Sequence, residues 1–208
     1  MDIRLEWGPE GVAALGADCA VLVVVDVLSF CTTTDLVLGN GGRVLPVRWR
    51  DHRGEEAAKA RGAILAGESE WTLRPSSVTQ IPSGTLLALP SPNGATLCDA
   101  AATTGAEVLA GCLRNASAVA ARAAELADGR PIGAGAIVAA LDGYGRLSAE
   151  ARLAAIAAKA IDIAEALTEC SSGRELAAAG HANDVALAAE LDTSGTVPVL
   201  RNGILEDS

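Results

Sequence analysis

Aromatic side chains are scarce in this chain: Trp7, Phe30, Trp49, Trp71 and Tyr144 are the only five among 208 residues. Half of the sequence is nonetheless hydrophobic. Alanine, valine and leucine must therefore fill the core, which favours close helix–sheet and helix–helix contacts. Basic residues are outnumbered 16 to 26, giving a formal net charge of −10. That balance argues against nucleic acid or an anionic membrane as the main partner, because both need a basic surface. A small anionic ligand is still allowed, since one arginine, a metal ion or a helix N-terminus supplies enough local positive charge. No apolar run is long enough to span a bilayer, and the segment Met1-Asp-Ile-Arg-Leu-Glu-Trp7 has no targeting pattern. A soluble, cytoplasmic protein is expected. The cysteines (Cys19, Cys31, Cys98, Cys112 and Cys170) are odd in number and contain no Cys-x-x-Cys pair. A chain of this length needs no disulfide staples, so they read as reduced, mostly buried thiols. With no histidine near it in sequence, Cys31 reads as a packing residue rather than a nucleophile. His52 and His181 read as surface residues.

What the chain does have is the run Cys19-Ala-Val-Leu-Val-Val-Val-Asp26, followed by Val27-Leu28-Ser29-Phe30-Cys31-Thr32-Thr33-Thr34. So dense an apolar run reads as a strand buried on both faces, the pattern of a parallel sheet. Its end in a carboxylate matters, because open α/β sheets bind ligands at the carboxyl ends of their strands. An N-capping role would explain Asp26 equally simply, yet an acid closing such an apolar strand is costly unless something uses it.

The rest of the chain alternates. Strands are expected at residues 3–7, 20–25, 44–47, 63–66, 85–89, 107–110 and 197–200, the last as an edge strand. Helices are expected at 34–38, 51–61, 96–102, 117–127, 134–141, 149–167 and 183–191, with a Pro/Ser-containing loop over 71–83. The helix ending before Gly39-Asn-Gly-Gly42 has a strong stop signal. Repeated strand–helix units imply a three-layer α/β/α architecture around a mainly parallel sheet with a mixed edge. No repeat or linker divides the chain, so residues 1–208 are expected to form one domain. A dinucleotide-binding reading would need a glycine fingerprint after the first buried strand, where Ser29-Phe-Cys-Thr stands instead. Gly133-Ala-Gly135 is too weak a pattern to replace it.

Four strand ends then deliver polar groups: Asp26 with Thr32 and Thr33, Glu68, Asn93 with Gly94 and Thr96, and Asn115 with Arg114. If all the strands are parallel, these groups meet at one edge of the sheet. Carboxylate oxygens with almost no histidine suit Mg²⁺ better than Zn²⁺. Each signal alone has an ordinary structural explanation: a turn at Pro92-Asn93-Gly94, a solvated acid at Glu68.

At these residues the chain resembles the 2-phosphosulfolactate phosphatase (ComB-like) family. Val24-Val-Asp-Val-Leu-Ser-Phe-Cys-Thr-Thr33 resembles its Asp-Val-Leu-Arg-Ala-Thr-Thr-Thr motif, and Gly67-Glu68 its Gly-Glu. Pro90-Ser-Pro-Asn-Gly-Ala-Thr96 resembles Thr-Thr-Asn-Gly-Thr, and Gly111-Cys-Leu-Arg-Asn-Ala116 resembles its Gly-Ser-hydrophobic-x-Asn-Ala. The resemblance implies a Mg²⁺-dependent phosphatase acting on a small anionic phosphoester of an acidic hydroxy acid. It implies Asp26 and Glu68 as metal-holding or water-activating acids. It implies Thr32, Thr33, Asn93, Gly94, Thr96 and Asn115 as substrate contacts. Two departures stand out. Ser29 replaces the motif's arginine, and Arg74 is the candidate to supply part of that charge. Arg130-Pro-Ile132 also runs directly into Gly133-Ala-Gly-Ala-Ile137, where the family has a strand and acidic loops, as though a segment were missing between 132 and 133. The alternative is therefore an impaired member that binds a phosphorylated or sulfonated acid without turnover. Alanine-rich helices and an edge strand would suit a homodimer.

Overall fold

A computed structural model describes every residue except 69, 135 and 136. Its strands are β1 (Asp2–Leu5), β2 (Val21–Val25), β3 (Arg43–Val47), β4 (Ile64–Leu65), β5 (Leu86–Pro90), β6 (Glu107–Gly111), β7 (Ile132–Ala134), β8 (Arg146–Leu147), β9 (Pro198–Arg201) and β10 (Ile204–Asp207). The helices are α1 (Gly8–Gly16), α2 (Phe30–Gly39), α3 (His52–Ala60), α4 (Gly94–Ala102), α5 (Ala116–Ala127), α6 (Val138–Leu141), α7 (Ala149–Ala160), α8 (Ile163–Glu169), α9 (Ser171–Ala178) and α10 (Ala182–Ala189). A 3-10 turn spans Pro75–Val78. No helix among the described residues is long and apolar enough to cross a membrane.

The architecture is the expected α/β/α one. All ten strands form a single sheet in the order β4-β5-β3-β10-β9-β6-β2-β7-β1-β8. Alternate residues of β2 serve two cores. Leu22 and Val24 pack with Phe30, Cys31, Val37, Ala95 and Cys98 from α2 and α4. Val21 and Val23 pack on the other face with Val119, Ala120 and Ala123 of α5 and with Ala151 and Ala155 of α7. This is the period-2 alternation of a strand between two helix layers. Small residues on α4, α5 and α7 let the helices approach closely, as the shortage of aromatics requires.

Strand direction departs from the expectation of one common edge. β6, β2, β7, β1 and β8 are mutually parallel, as are β3, β5 and β4. Between the two groups lies the antiparallel pair β9–β10, which pairs antiparallel with β6 on one side and β3 on the other. Three antiparallel steps reverse one group relative to the other along the sheet. Residues 197–200 thus belong to a central hairpin, not an edge strand. Its turn uses left-handed Asn202 (φ 52°) and Gly203 (φ 79°), the Asn-Gly signature of a two-residue hairpin. Pro198 is tolerated because it opens its strand.

Other boundaries differ for local reasons. Ile132–Ala134 is a strand, seated between β1 and β2, where the sequence suggested a helix from 134. The Gly135-Ala136 part of that motif lies outside the described residues. The expected helix over 149–167 breaks at Ile161, which is extended (φ −122°, ψ 155°), and Asp162 begins α8 by accepting a hydrogen bond from Glu165 N at 3.0 Å. His181 is half-buried against Arg74 rather than on the surface.

Candidate active site

Asp26 follows β2 directly, and the chain then winds into α2. This helix starts at Phe30, four residues before the expected boundary. Thr32 and Thr33 therefore lie within its first turn, fully buried. Their hydroxyls donate to backbone carbonyls, Thr32 Oγ1 to Val27 O at 2.8 Å and Thr33 Oγ1 to Leu73 O at 2.7 Å. Thr32 thus fixes the strand–helix junction, and Thr33 ties α2 to the loop at Leu73.

Although β2 and β5 belong to opposed halves of the sheet, their carboxyl ends meet. Asp26 Oδ2 accepts a hydrogen bond from Gly94 N at 3.0 Å, and Ser91 Oγ lies 3.5 Å away. Five neighbour steps separate the two strands. At about 20–25° of twist per step, the sheet turns by roughly 100–125° between them, which undoes much of the reversal. Asp26 is thus a cap after all, of α4 as well as of the α2 that follows it. Gly94 is required at that position: a Cβ there would lie 2.3 Å from Phe30 Cδ1 and 2.7 Å from Phe30 Cβ.

Burial raises the proton affinity of Asp26 above the ordinary carboxylate range, opposed by hydrogen bonds from Gly94 N, Ser91 and Phe30 N. The first residues of two helices, α2 and α4, thus converge on one carboxylate, where their dipoles favour negative charge. The carboxylate opens onto a cleft of about 340 Å³ lined also by Glu6, Trp7, Val12, Asn93 and Thr96. Glu6 was not legible as a site residue: it is exposed, separated from Asp26 by a helix, and carries no motif.

Glu68 stands elsewhere. It lines a second cavity with Arg50 and Arg74, bordered by Pro90, while Pro92 and Asn93 border the first. The end of β5 thus borders one cavity and the loop after it the other. Asn115 lines neither; fully buried, it stitches the turn after β6 through Oδ1, which accepts from Cys112 N at 2.9 Å. Its neighbour Arg114 forms an ion pair with buried Asp35 (2.8 Å) and another with Glu190. Thr196 also donates to Asp35. This network ties the segment after α10 to α2 and to the end of β6. Among the described residues, no group of three or more His, Cys, Asp or Glu side chains forms a metal cage. Cys31 behaves as a core thiol: it is 1 % exposed, its Sγ lies 3.4 Å from Val24 O, and burial pushes its pKa well up.

A sequence profile of the 2-phosphosulpholactate phosphatase family matches residues 12–203, from α1 to the turn of the central hairpin. The chain belongs to this family. The family is named for a phosphatase, an enzyme class that hydrolyses phosphate monoesters. A 2-phosphosulfolactate phosphatase of Methanothermobacter thermautotrophicus is 29 % identical to this family member, over 99 % of this chain and 95 % of the relative. The alignment is 228 residues long against 208 in the chain, so the relative contains residues that this member lacks.

Proposed function

We propose that this protein hydrolyses the phosphate monoester of a small acidic hydroxy acid, 2-phosphosulfolactate or a close analogue, in a Mg²⁺-dependent reaction. The observation that carries the reading is Asp26: a half-buried carboxylate at a strand end, held by the Gly94 amide and facing a cleft. Family membership supplies the reaction class. The donor set of the cleft suits Mg²⁺. Asp26, Glu6, Asn93 and Thr96 offer oxygen donors only. Mg²⁺ characteristically uses one or two carboxylates and keeps several waters, so it needs no three-acid cage. When bound, the ion would neutralise phosphate charge and lower the pKa of a water.

The chain's own residues divide the remaining work. The raised proton affinity of Asp26 suits a group that takes a proton from an attacking water. Asn93 and Thr96, on the same cleft, are placed to hold phosphate oxygens. The backbone of Gly94 fixes the Asp26 carboxylate. Thr32, Thr33 and Asn115 act indirectly, by holding the backbone that carries these groups. Glu68 faces the neighbouring cavity and contributes there rather than beside Asp26.

Phosphate release from 2-phosphosulfolactate and from an aryl phosphate, each with and without Mg²⁺, tests the reading. Turnover should require Mg²⁺, and Asp26→Asn should lower kcat by at least about 100-fold. Full Mg²⁺-dependent turnover by D26N would refute the assignment. Saturable substrate binding by the wild type without any turnover would instead establish the impaired, binding-only reading.

A further inference from the structure

The second cavity, of about 450 Å³, lies at the carboxyl ends of the parallel strands β3, β4 and β5. Two arginines line it, Arg50 and Arg74, that form no ion pair among the described residues. Arg50 belongs to the run Arg48-Trp49-Arg50-Asp51-His52-Arg53. Its neighbours are all engaged. Arg48 pairs with Asp99 at 2.8 Å, and Arg53 grips Asp51 at 2.7 Å. The guanidinium carbons of both lie over the Trp49 ring, 5.5 and 5.2 Å from its centroid. That stacked, ion-paired platform holds the loop and leaves Arg50, alone of the three arginines, with no ion pair among the described residues.

Arg74 is half-buried. Its Nε donates to Thr72 Oγ1 at 3.2 Å and its Nη1 lies 3.1 Å from His181 Nδ1. Neither partner is a carboxylate, and no carboxylate pairs with it among the described residues. A partly buried cation without a paired carboxylate is costly unless an anion joins it. Of the acids that line the cavity, Asp51 is already occupied by Arg53, which leaves Glu55 and Glu68. A cavity lined by two arginines and two carboxylates without ion pairs among the described residues suits a ligand carrying one strongly acidic group and a hydrogen-bond donor such as a hydroxyl.

We propose that this cavity binds the sulfonate or carboxylate of a small hydroxy acid, with Arg50 and Arg74 as the charge-bearing contacts. The site rests on the proposed function only for the identity of that acid. Phosphoryl chemistry stays at Asp26, in a cleft that shares no lining residue with this cavity.

Calorimetric titration of the full chain with sulfoacetate, which carries a sulfonate and a carboxylate but no phosphate, tests the site independently of turnover. Saturable binding is expected, with Kd raised about tenfold in Arg50→Gln and in Arg74→Gln, the loss of one charge-assisted contact. Arg152→Gln, an exposed arginine on α7, should leave Kd unchanged. Tighter binding of sulfoacetate than of malonate assigns the sulfonate to the arginines, and the reverse order assigns the carboxylate. R50Q alters only an exposed loop side chain and decides the matter alone if R74Q does not fold. The proposal is overturned by no binding at about 50 mM ligand, by a change under about threefold in R50Q, or by equal weakening in R152Q. A wild type that binds sulfoacetate but hydrolyses no phosphoester would overturn the function and leave this site standing.

Discussion

Replacing Gly94 with alanine probes the junction on which the active-site reading depends. The added Cβ would lie 2.3 Å from Phe30 Cδ1, 2.5 Å from Cγ and 2.7 Å from Cβ. Carbon atoms in contact prefer about 3.5–4.0 Å, so the ring or the start of α4 must yield by roughly 1 Å. Phe30 is 0 % exposed and is the largest fully buried side chain, and its own Cβ is among the atoms struck, so rotation of the ring gives no escape. Inserting a methyl into a filled core costs about 1–3 kcal/mol, and the rigidity here points to the upper end. At about 2–4 °C per kcal/mol for a domain of this size, Tm should fall by roughly 6–12 °C. Gly195→Ala is the control, because a Cβ there meets nothing within 4 Å; it should melt within about 2 °C of the wild type. Phe30→Leu should cost less in the G94A background than alone, a coupling visible in the double-mutant cycle. Because α4 starts at Gly94, the same change also displaces the amide that holds Asp26, and turnover should fall with stability. A G94A protein that melts with the wild type would refute the packing argument and weaken the placement of Asp26.

Two further outcomes follow from ionisation and exposure. Burial raises the folded-state pKa of Asp26, so the stability it contributes is complete below the unfolded value, near 4, and is lost as pH rises through the folded value. The difference in Tm between D26N and the wild type should therefore shift in favour of D26N from about pH 3 to pH 7; a difference constant with pH would contradict the burial. Four cysteines are buried and only Cys170 is exposed, while Cys98 and Cys112 are pushed up to about 12. A thiol reagent at about pH 8 should modify one cysteine quickly and the other four only on denaturation; a second fast thiol would show that the core is open.

The parts of this fold that were legible in the sequence are those with strong local signals. β2 announces itself through uninterrupted valines, and the Asn-Gly-Gly stop after α2 through backbone freedom. Helix α1 was hidden because Gly8-Pro9 and Gly16 look like loop punctuation, although proline suits a first helical turn. The start of α2 was hidden because three threonines suggest a cap or loop, whereas here two of the hydroxyls bond backbone carbonyls. The reversal of half the sheet could not be read locally at all. It follows from where a distant hairpin inserts, and pairing choices between remote strands leave no trace in either strand's own pattern. The same reason separates the two acids: Asp26 and Glu68 both follow strands, but strands of different halves, and they line different cavities.

The position of the β9–β10 hairpin sets an order on how the molecule is made. The ribosome completes every other strand of the sheet before it reaches residues 198–207, yet these occupy the centre. Until they emerge, β3 and β6 are open inner edges with unsatisfied backbone groups, the kind of edge that invites pairing with another chain. Each parallel half can gather around its own helices during synthesis, but neither can join the other through the sheet. Closure is therefore a late, long-range event, and a ribosome stalled some 15 residues short of this hairpin would hold two half-sheets exposed to aggregation.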